Sequence, residues 1–401
     1  MIRSKAGGGG RGVLRERCRR REETHVPPAG GENSVKKRKL MMTTLSIVHR
    51  TTYHYRAFVQ LLPHRLMLRP RESRELKLLS HHVRCSPDAE VTWSRDVFGN
   101  EVATARFLKN ADLLTIESTA EVGLDAPAWP VFDIDASALS YPFRYADEDW
   151  TDLGALTVQH YPAEPAKVDR WARSFIAASP TDTLSLLKDL NLGVHHQIRY
   201  ESRDDEGTQP PEQTLSRGRG SCRDLAVLLV EGARALGFGA RLVSGYLWPN
   251  DVRAVGAGAT HAWGEIFVPG PGWIAFDPTN GTMGGGNLIP TTVARGIAQA
   301  IPVSGSYIGP KDAFQRMDVQ VDVRSIDTSG GGGRERPAAT EIYTSSNGDR
   351  WLLIQNGDRR IVRHEPAPSS GGQASETDLN TFLLTQGRTP QGENLLRMIT
   401  S

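Results

Sequence analysis

The chain of 401 residues holds three cysteines, at positions 18, 85 and 222. Thiols so few and so far apart exclude a disulfide framework and fit a reducing, cytoplasmic setting. No apolar run approaches the roughly 18–20 residues needed to span a bilayer, so no membrane association is expected. The basic, glycine-rich start lacks a hydrophobic segment, which argues against a secretory signal. Neither sign of charge dominates: 48 basic residues stand against 46 acidic ones, a net charge of +2. A nucleic-acid partner is therefore not expected. The histidines at 49, 54, 64, 81 and 82 form no H-x-x-x-H or Cys-x-x-Cys frame, so they are read as strand positions, with no metal or cofactor implied.

What is present centres on residues 218–281. Gly218-Arg219-Gly220-Ser221-Cys222-Arg223-Asp224 is a glycine-rich turn that opens an apolar segment. Apolar residues at 225, 228, 229 and 236, with Gly232 among them, predict one buried helix face. Cys222 then lies in the first helical turn, where free N–H groups and the positive end of the dipole favour a thiolate. Asp224 suits the same dipole. Cys85 sits on a strand with no such helix start and is read as a structural thiol.

A reactive thiol needs a proton carrier, and His261 is the candidate. Residues 261–268 alternate as a strand, 268–272 is turn chemistry, and Trp273–Phe276 reads as the returning strand ended by Asp277. An odd-numbered loop puts His261, Trp263 and Asp277 on one face, with His261 diagonal to Asp277. An even-numbered loop would turn Asp277 away.

These blocks carry a resemblance. Gly-Ser-Cys222-Arg-Asp, Arg241-Leu-Val-Ser-Gly-Tyr246, His261-Ala-Trp-Gly-Glu and Gly-Trp-Ile-Ala-Phe-Asp277-Pro-Thr-Asn-Gly resemble the bacterial transglutaminase-like proteins, in order. The resemblance implies a papain-like cysteine-hydrolase core with Cys222 as nucleophile, His261 as base and Asp277 as orienting acid. It also implies an aromatic near the cleft at Tyr200, where core packing is an equal alternative. Ser221 and Arg223 replace the family's more usual hydrophobic and glutamine neighbours.

The expected function is thiol-dependent acyl transfer on peptide or protein amides through a thioester. Hydrolysis by a protease or amidase is favoured over cross-linking, because water is always present. The alternatives are a catalytically idle peptide-binding protein and a true protein-glutamine transglutaminase. A metal site built from the three residues lacks a fourth ligand. Trp263 and Trp273 are candidates either for cleft walls or for core packing.

The expected fold is α+β in several parts. Residues 1–42, with Arg19-Arg20-Arg21 and Lys36-Lys37-Arg38-Lys39, read as a disordered basic extension. Short alternating strands over 43–125, with a turn at Phe98-Gly99-Asn100, predict a small antiparallel β-domain. The catalytic core is placed at 126–326. It begins with an extended connector, then helices over 166–176 and 183–195 and a polar loop over 201–215. Residues 317–324 alternate as a strand expected to close the catalytic sheet. A glycine-rich linker at 327–339 precedes a module at 340–401. There two Asn-Gly turns predict a three-stranded meander, followed by a helix capped by Ser375. At about 60 residues this module is read as an attachment for an unidentified partner.

Overall fold

The computed structural model describes residues 42–126, 130–161, 167–202, 207–248, 259–326, 339–345, 349–356, 359–365 and 375–379, with scattered positions from 382 to 397. The expected basic extension, the glycine-rich linker up to 338 and the loop over 249–258 lie outside the described residues. No described helix is long and apolar enough to cross a membrane.

The first part is a pair of antiparallel sheets built around the long strand Thr43–Leu61. That strand pairs on one side with Ala111–Leu124, which pairs in turn with Leu76–Ser86. The second sheet runs Val303–Ser304, His64–Leu66, Glu101–Phe107, Ala89–Arg95. Tyr55, Val59, Leu114 and Ile116 of the first sheet share an apolar cluster with Leu66, Ala103 and Ala105 of the second. The turn at Phe98-Gly99-Asn100 forms as its residues dictate. Gly99 takes a φ of 70°, and Asp96 Oδ1 accepts the N–H groups of Phe98 and Asn100.

The strand expected to close the catalytic sheet does otherwise. Phe314–Ile326 pairs antiparallel with Thr43–Leu61, setting Val321 opposite His49 and Val323 opposite Ile47. Val303–Ser304 joins the second N-terminal sheet as well. The expected core limits of 126–326 thus enclose a return segment that completes the N-terminal sheets. Its alternation sets Met317, Val319, Val321 and Val323 on one face, of which Val321 is buried while Met317 and Val319 stay exposed, and it carried no label for the strand it would meet.

The core sheet is antiparallel, in the order Thr282–Met283, Gly272–Asp277, His261–Val268, Ala240–Leu247, Leu288–Ala294. Helix Cys222–Ala235 packs on it, burying Leu225 through Ala233 without a break. Helix Thr183–Gln197 covers the other side of the cysteine helix, its start capped by Asp182 accepting from Ser185 N–H at 2.7 Å. Leu186, Leu187, Leu190 and Val194 enter the same cluster as Leu228 and Leu229. The expected polar loop at 201–215 holds one further helix, Pro211–Arg217. Pro211 stands at its first turn, where a missing N–H costs nothing, and Gly218 closes it at a φ of 62°.

The C-terminal module is a four-stranded meander, Ala339–Thr344, Arg350–Asn356, Arg359–Glu365, Ser375–Asp378. Its fourth strand corrects the expected helix cap: Ser375 pairs with His364 and Thr377 with Val362. The unpaired edge of the third strand outweighs local capping chemistry.

The N-terminal sheets are fastened to the core by Asn100, which is fully buried. Its Nδ2 donates to Val293 O at 2.7 Å, and its Oδ1 accepts Val293 N–H at 2.9 Å and Arg71 Nη1 at 2.6 Å. Asn100→Ala leaves both polar groups of Val293 without a partner. We expect a loss of about 2–3 kcal/mol in urea unfolding with the m-value unchanged. A loss below about 0.5 kcal/mol would show that the fastening is incidental.

Candidate active site

The site begins at the start of the cysteine helix. Ser221 is the N-cap, with extended backbone, and Cys222 is the first helical residue. Asp224 is fully buried and binds back onto that turn. Its Oδ2 accepts Ser221 N–H at 2.8 Å and Ser221 Oγ–H at 3.0 Å. The same carboxylate accepts Gln209 N–H at 2.7 Å and Gln209 Nε2 at 3.1 Å. Asp224 therefore ties the incoming loop to the helix, beyond the dipole role its position suggests. The turn can close this tightly because residue 220 is glycine: a Cβ there would lie 2.8 Å from that of Asp224.

The hairpin register has the expected parity. Val268 pairs with Gly272 and Gly264 with Phe276, so the loop is odd-numbered and Asp277 shares a face with His261. His261 Nε2 meets Asp277 Oδ2 at 2.8 Å, with both side chains fully enclosed. The other oxygen of Asp277 accepts Thr279 N–H at 2.9 Å. Asn280 contributes twice, donating its backbone N–H to Oδ1 at 3.3 Å and its Nδ2 to Oδ2 at 2.8 Å. A carboxylate with this many donors is favoured as the anion.

The remaining ring nitrogen of His261, Nδ1, is buried and makes no hydrogen bond of standard geometry. Cys222 lies near enough to act on the ring both as a charge and as a hydrogen-bonding thiol. Burial alone would lower the histidine pKa, but Asp277, with a further contribution from Cys222, pushes it up to about 10. Burial likewise disfavours the Asp277 anion, and its contacts with His261, Asn280 and Thr279 override this, leaving its pKa below the usual value. The two ring nitrogens are thus divided, Nε2 to the carboxylate and Nδ1 to the side of the thiol.

The structure brings Cys222, His261 and Asp277 together and sets Tyr200 beside them. Arg199–Tyr200 pairs in parallel with Arg219–Gly220, next to the cysteine turn. Burial raises the Tyr200 pKa, and the neighbouring Cys222 raises it further. Trp263 stacks beside the histidine of the site, its ring centroid 6.1 Å from that of His261. Trp263 is buried among Val243, Leu247, Leu288 and Val293. Trp273 lies at the turn end of the hairpin, beneath the Arg241 guanidinium at 4.0 Å. Cys85 is on a strand outside the site, and burial pushes its thiol up to about 11. Among the described residues no cluster of three or more His, Cys, Asp or Glu side chains could hold a metal ion.

Sequence reasoning missed Asn280, Gln209 and His195. Asn280 was visible as the fourth residue of Asp-Pro-Thr-Asn, a spacing at which turn side chains fold back on an aspartate. Gln209 carried no local signal, because its partner is fifteen residues away across a loop.

Comparison with known proteins fits this geometry. Residues 45–123 match the bacterial transglutaminase-like N-terminal region, and residues 169–278 match the transglutaminase-like superfamily. The chain carries a transglutaminase-like core behind a bacterial transglutaminase-like N-terminal region. An uncharacterized protein of Mycobacterium tuberculosis is 28% identical over 295 residues, covering 69% of this chain and 91% of its own length. An uncharacterized protein of Mycobacterium leprae is 33% identical over 115 residues, covering 28% of this chain and 40% of the relative. The crystal structure of a candidate cysteine protease from Cytophaga hutchinsonii superposes with a TM-score of 0.56 at 18% identity. It covers 74% of this chain and 94% of the other, and the likeness establishes the fold.

Proposed function

We propose that this transglutaminase-like protein is a thiol-dependent acyl-transfer enzyme acting on amide bonds of peptides or proteins. Cys222 is its nucleophile, His261 its proton carrier and Asp277 its orienting acid. The observation that carries the reading is the enclosed contact between His261 Nε2 and Asp277 at 2.8 Å. It leaves Nδ1 as the only ring position for the thiol proton. A ring held at a pKa of about 10 keeps a proton at neutral pH, so a proton passed from the thiol stays on the imidazole until the departing amine takes it.

The sulfur then attacks the amide carbonyl, forming a C–S bond. The backbone N–H of Cys222, at the helix start, is placed to stabilise the oxyanion. The carbon–nitrogen bond breaks as His261 gives its proton to the departing amine, leaving a thioester on Cys222. Water attacks the thioester, His261 accepts one water proton, and the carboxylic acid leaves as the thiol is restored. A primary amine in place of water would give a new amide. Hydrolysis is the favoured outcome because water is always available. The proposal includes a reducing, cytoplasmic setting, since the chemistry requires a free thiol and both described cysteines are unpaired.

The test is selective alkylation followed by trapping. Iodoacetamide at neutral pH is expected to modify Cys222 at least about tenfold faster than Cys85, and His261→Ala should erase the advantage. Mass spectrometry after mixing with an acyl-donor peptide should show an adduct on Cys222 that water resolves. Adding a primary amine separates transfer, seen as a new amide, from hydrolysis, seen as free acid alone. Peptide binding with no adduct and no selective alkylation would make the cleft a recognition surface instead.

A further inference from the structure

His195 lies near the C-terminal end of helix Thr183–Gln197, away from the three proposed catalytic residues in sequence. Its Nδ1 sits 3.0 Å from Thr279 O and 3.3 Å from Pro278 O. Two carbonyl oxygens can only accept, so Nδ1 carries the proton and donates to this pair. One helical turn earlier, on the same face, Asn191 Nδ2 donates to Thr282 O at 3.1 Å. The helix therefore grips the turn 278–282 at two points.

That turn follows Asp277 directly and carries Asn280, whose Nδ2 binds the same carboxylate oxygen as His261 Nε2. Gly281 closes the turn at a φ of +64°, and a Cβ there would lie 3.0–3.1 Å from the His195 ring. Histidine and glycine thus meet face to face, with no room for the turn to settle deeper. A carboxylate on a strand end could rotate between several hydrogen-bonding orientations. Here the turn that fixes it is itself fixed from the helix.

We infer that His195 is a positioning residue for the acid of the site: by anchoring the carbonyls of residues 278 and 279 it holds Asn280 on the Asp277 carboxylate, so that Asp277 meets His261 Nε2 in one orientation. The inference rests on the proposed roles of Cys222, His261 and Asp277.

The test measures the second-order rate of Cys222 alkylation by iodoacetamide in the full chain. His195→Asn keeps a donor at the Nδ1 position, while His195→Gln presents it further out, at the Nε2 position. His195→Leu has none. The expected result is a rate near wild type for Asn and a fall of about 10- to 100-fold for Gln and Leu. In an Asp277→Asn background His195→Gln should cause almost no further loss, because the group it positions is already altered. Equal rates for Asn and Gln, or losses that simply multiply with Asp277→Asn, would overturn the inference; this comparison stands even where His195→Leu fails to fold. If His261→Ala and Asp277→Asn slow alkylation while every His195 variant behaves as wild type, the positioning role alone falls. If those two variants leave the rate unchanged, the proposed triad falls and the positioning role falls with it.

Discussion

Asp277→Asn is expected to keep the hairpin register and to slow acylation of Cys222 by p-nitrophenyl acetate at neutral pH by about 10³- to 10⁴-fold. An amide at 277 offers His261 Nε2 either a neutral oxygen or an N–H donor, so the imidazolium loses its counter-charge and the tautomer is no longer fixed. Burial, which disfavours the charged ring, would then act on His261 unopposed. Cys222→Ala should leave no acylation at all, which sets the floor for the comparison. A loss smaller than about tenfold for Asp277→Asn would show that the carboxylate is structural.

The same variant has a defined signature in stability against pH. The His261 pKa is raised from 6.5 to about 10 in the folded protein. Its contribution is therefore fully present below the unfolded value and is lost as pH rises through about 10. The Asp277 pKa is lowered from 3.8. Its contribution is present above that unfolded value and is lost as pH falls through the lower folded one. The stability difference between wild type and Asp277→Asn should accordingly be greatest between pH 3.8 and 6.5 and shrink on both sides. A difference that grows from pH 7 to 10 would contradict the assignment of charge.

Arg234→Ala is expected to cost about 3–5 kcal/mol, the largest stability loss among the variants considered. Arg234 and Glu231 form an enclosed pair on the cysteine helix, Nη1 to Oε1 at 2.7 Å, with side-chain exposures of 0% and 2%. Arg234 also donates to the carbonyls of Ala240 at 2.8 Å and Arg295 at 2.9 Å. Glu231 accepts the N–H groups of His160 at 2.8 Å and Tyr161 at 3.1 Å. Removing the guanidinium takes the counter-charge from a buried carboxylate and a donor from the carbonyls of Leu156, Ala240 and Arg295 at once. Urea unfolding measures the loss. Arg241→Ala is the comparison, because its pair with Glu265 is partly solvated at 18% and 14% side-chain exposure, and about 1 kcal/mol is expected there. Similar losses for the two variants would refute the special cost of the enclosed pair.

Neither Glu231 nor Arg234 stood out in the sequence. Both fall within a helix otherwise marked by its apolar face, and charged residues at such positions usually point to solvent. Their partners come from segments about 70 and 60 residues away, which no local pattern encodes. The same holds for Asp224. Its place in the first turn suggested the helix dipole, whereas its grip on Gln209 depended on a loop folding back.

What the sequence determined by itself is what short-range physics controls. A glycine turn before an apolar helix placed Cys222 at the helix start, and the parity of one hairpin put His261 and Asp277 on a common face. Both follow from fixed geometry, the 3.6-residue turn and the two-residue pleat. The tertiary structure decided the rest. It paired Phe314–Ile326 with Thr43–Leu61, added Ser375–Asp378 as a fourth strand, buried Trp263 in an apolar cluster against the His261 ring and brought His195 to the turn behind Asp277. Backbone hydrogen bonds are identical along every strand edge, so alternation names a face but not a partner. Side-chain grips such as those of His195 and Asn100 exist only after distant segments have packed, because only packing removes the water that would otherwise satisfy both groups.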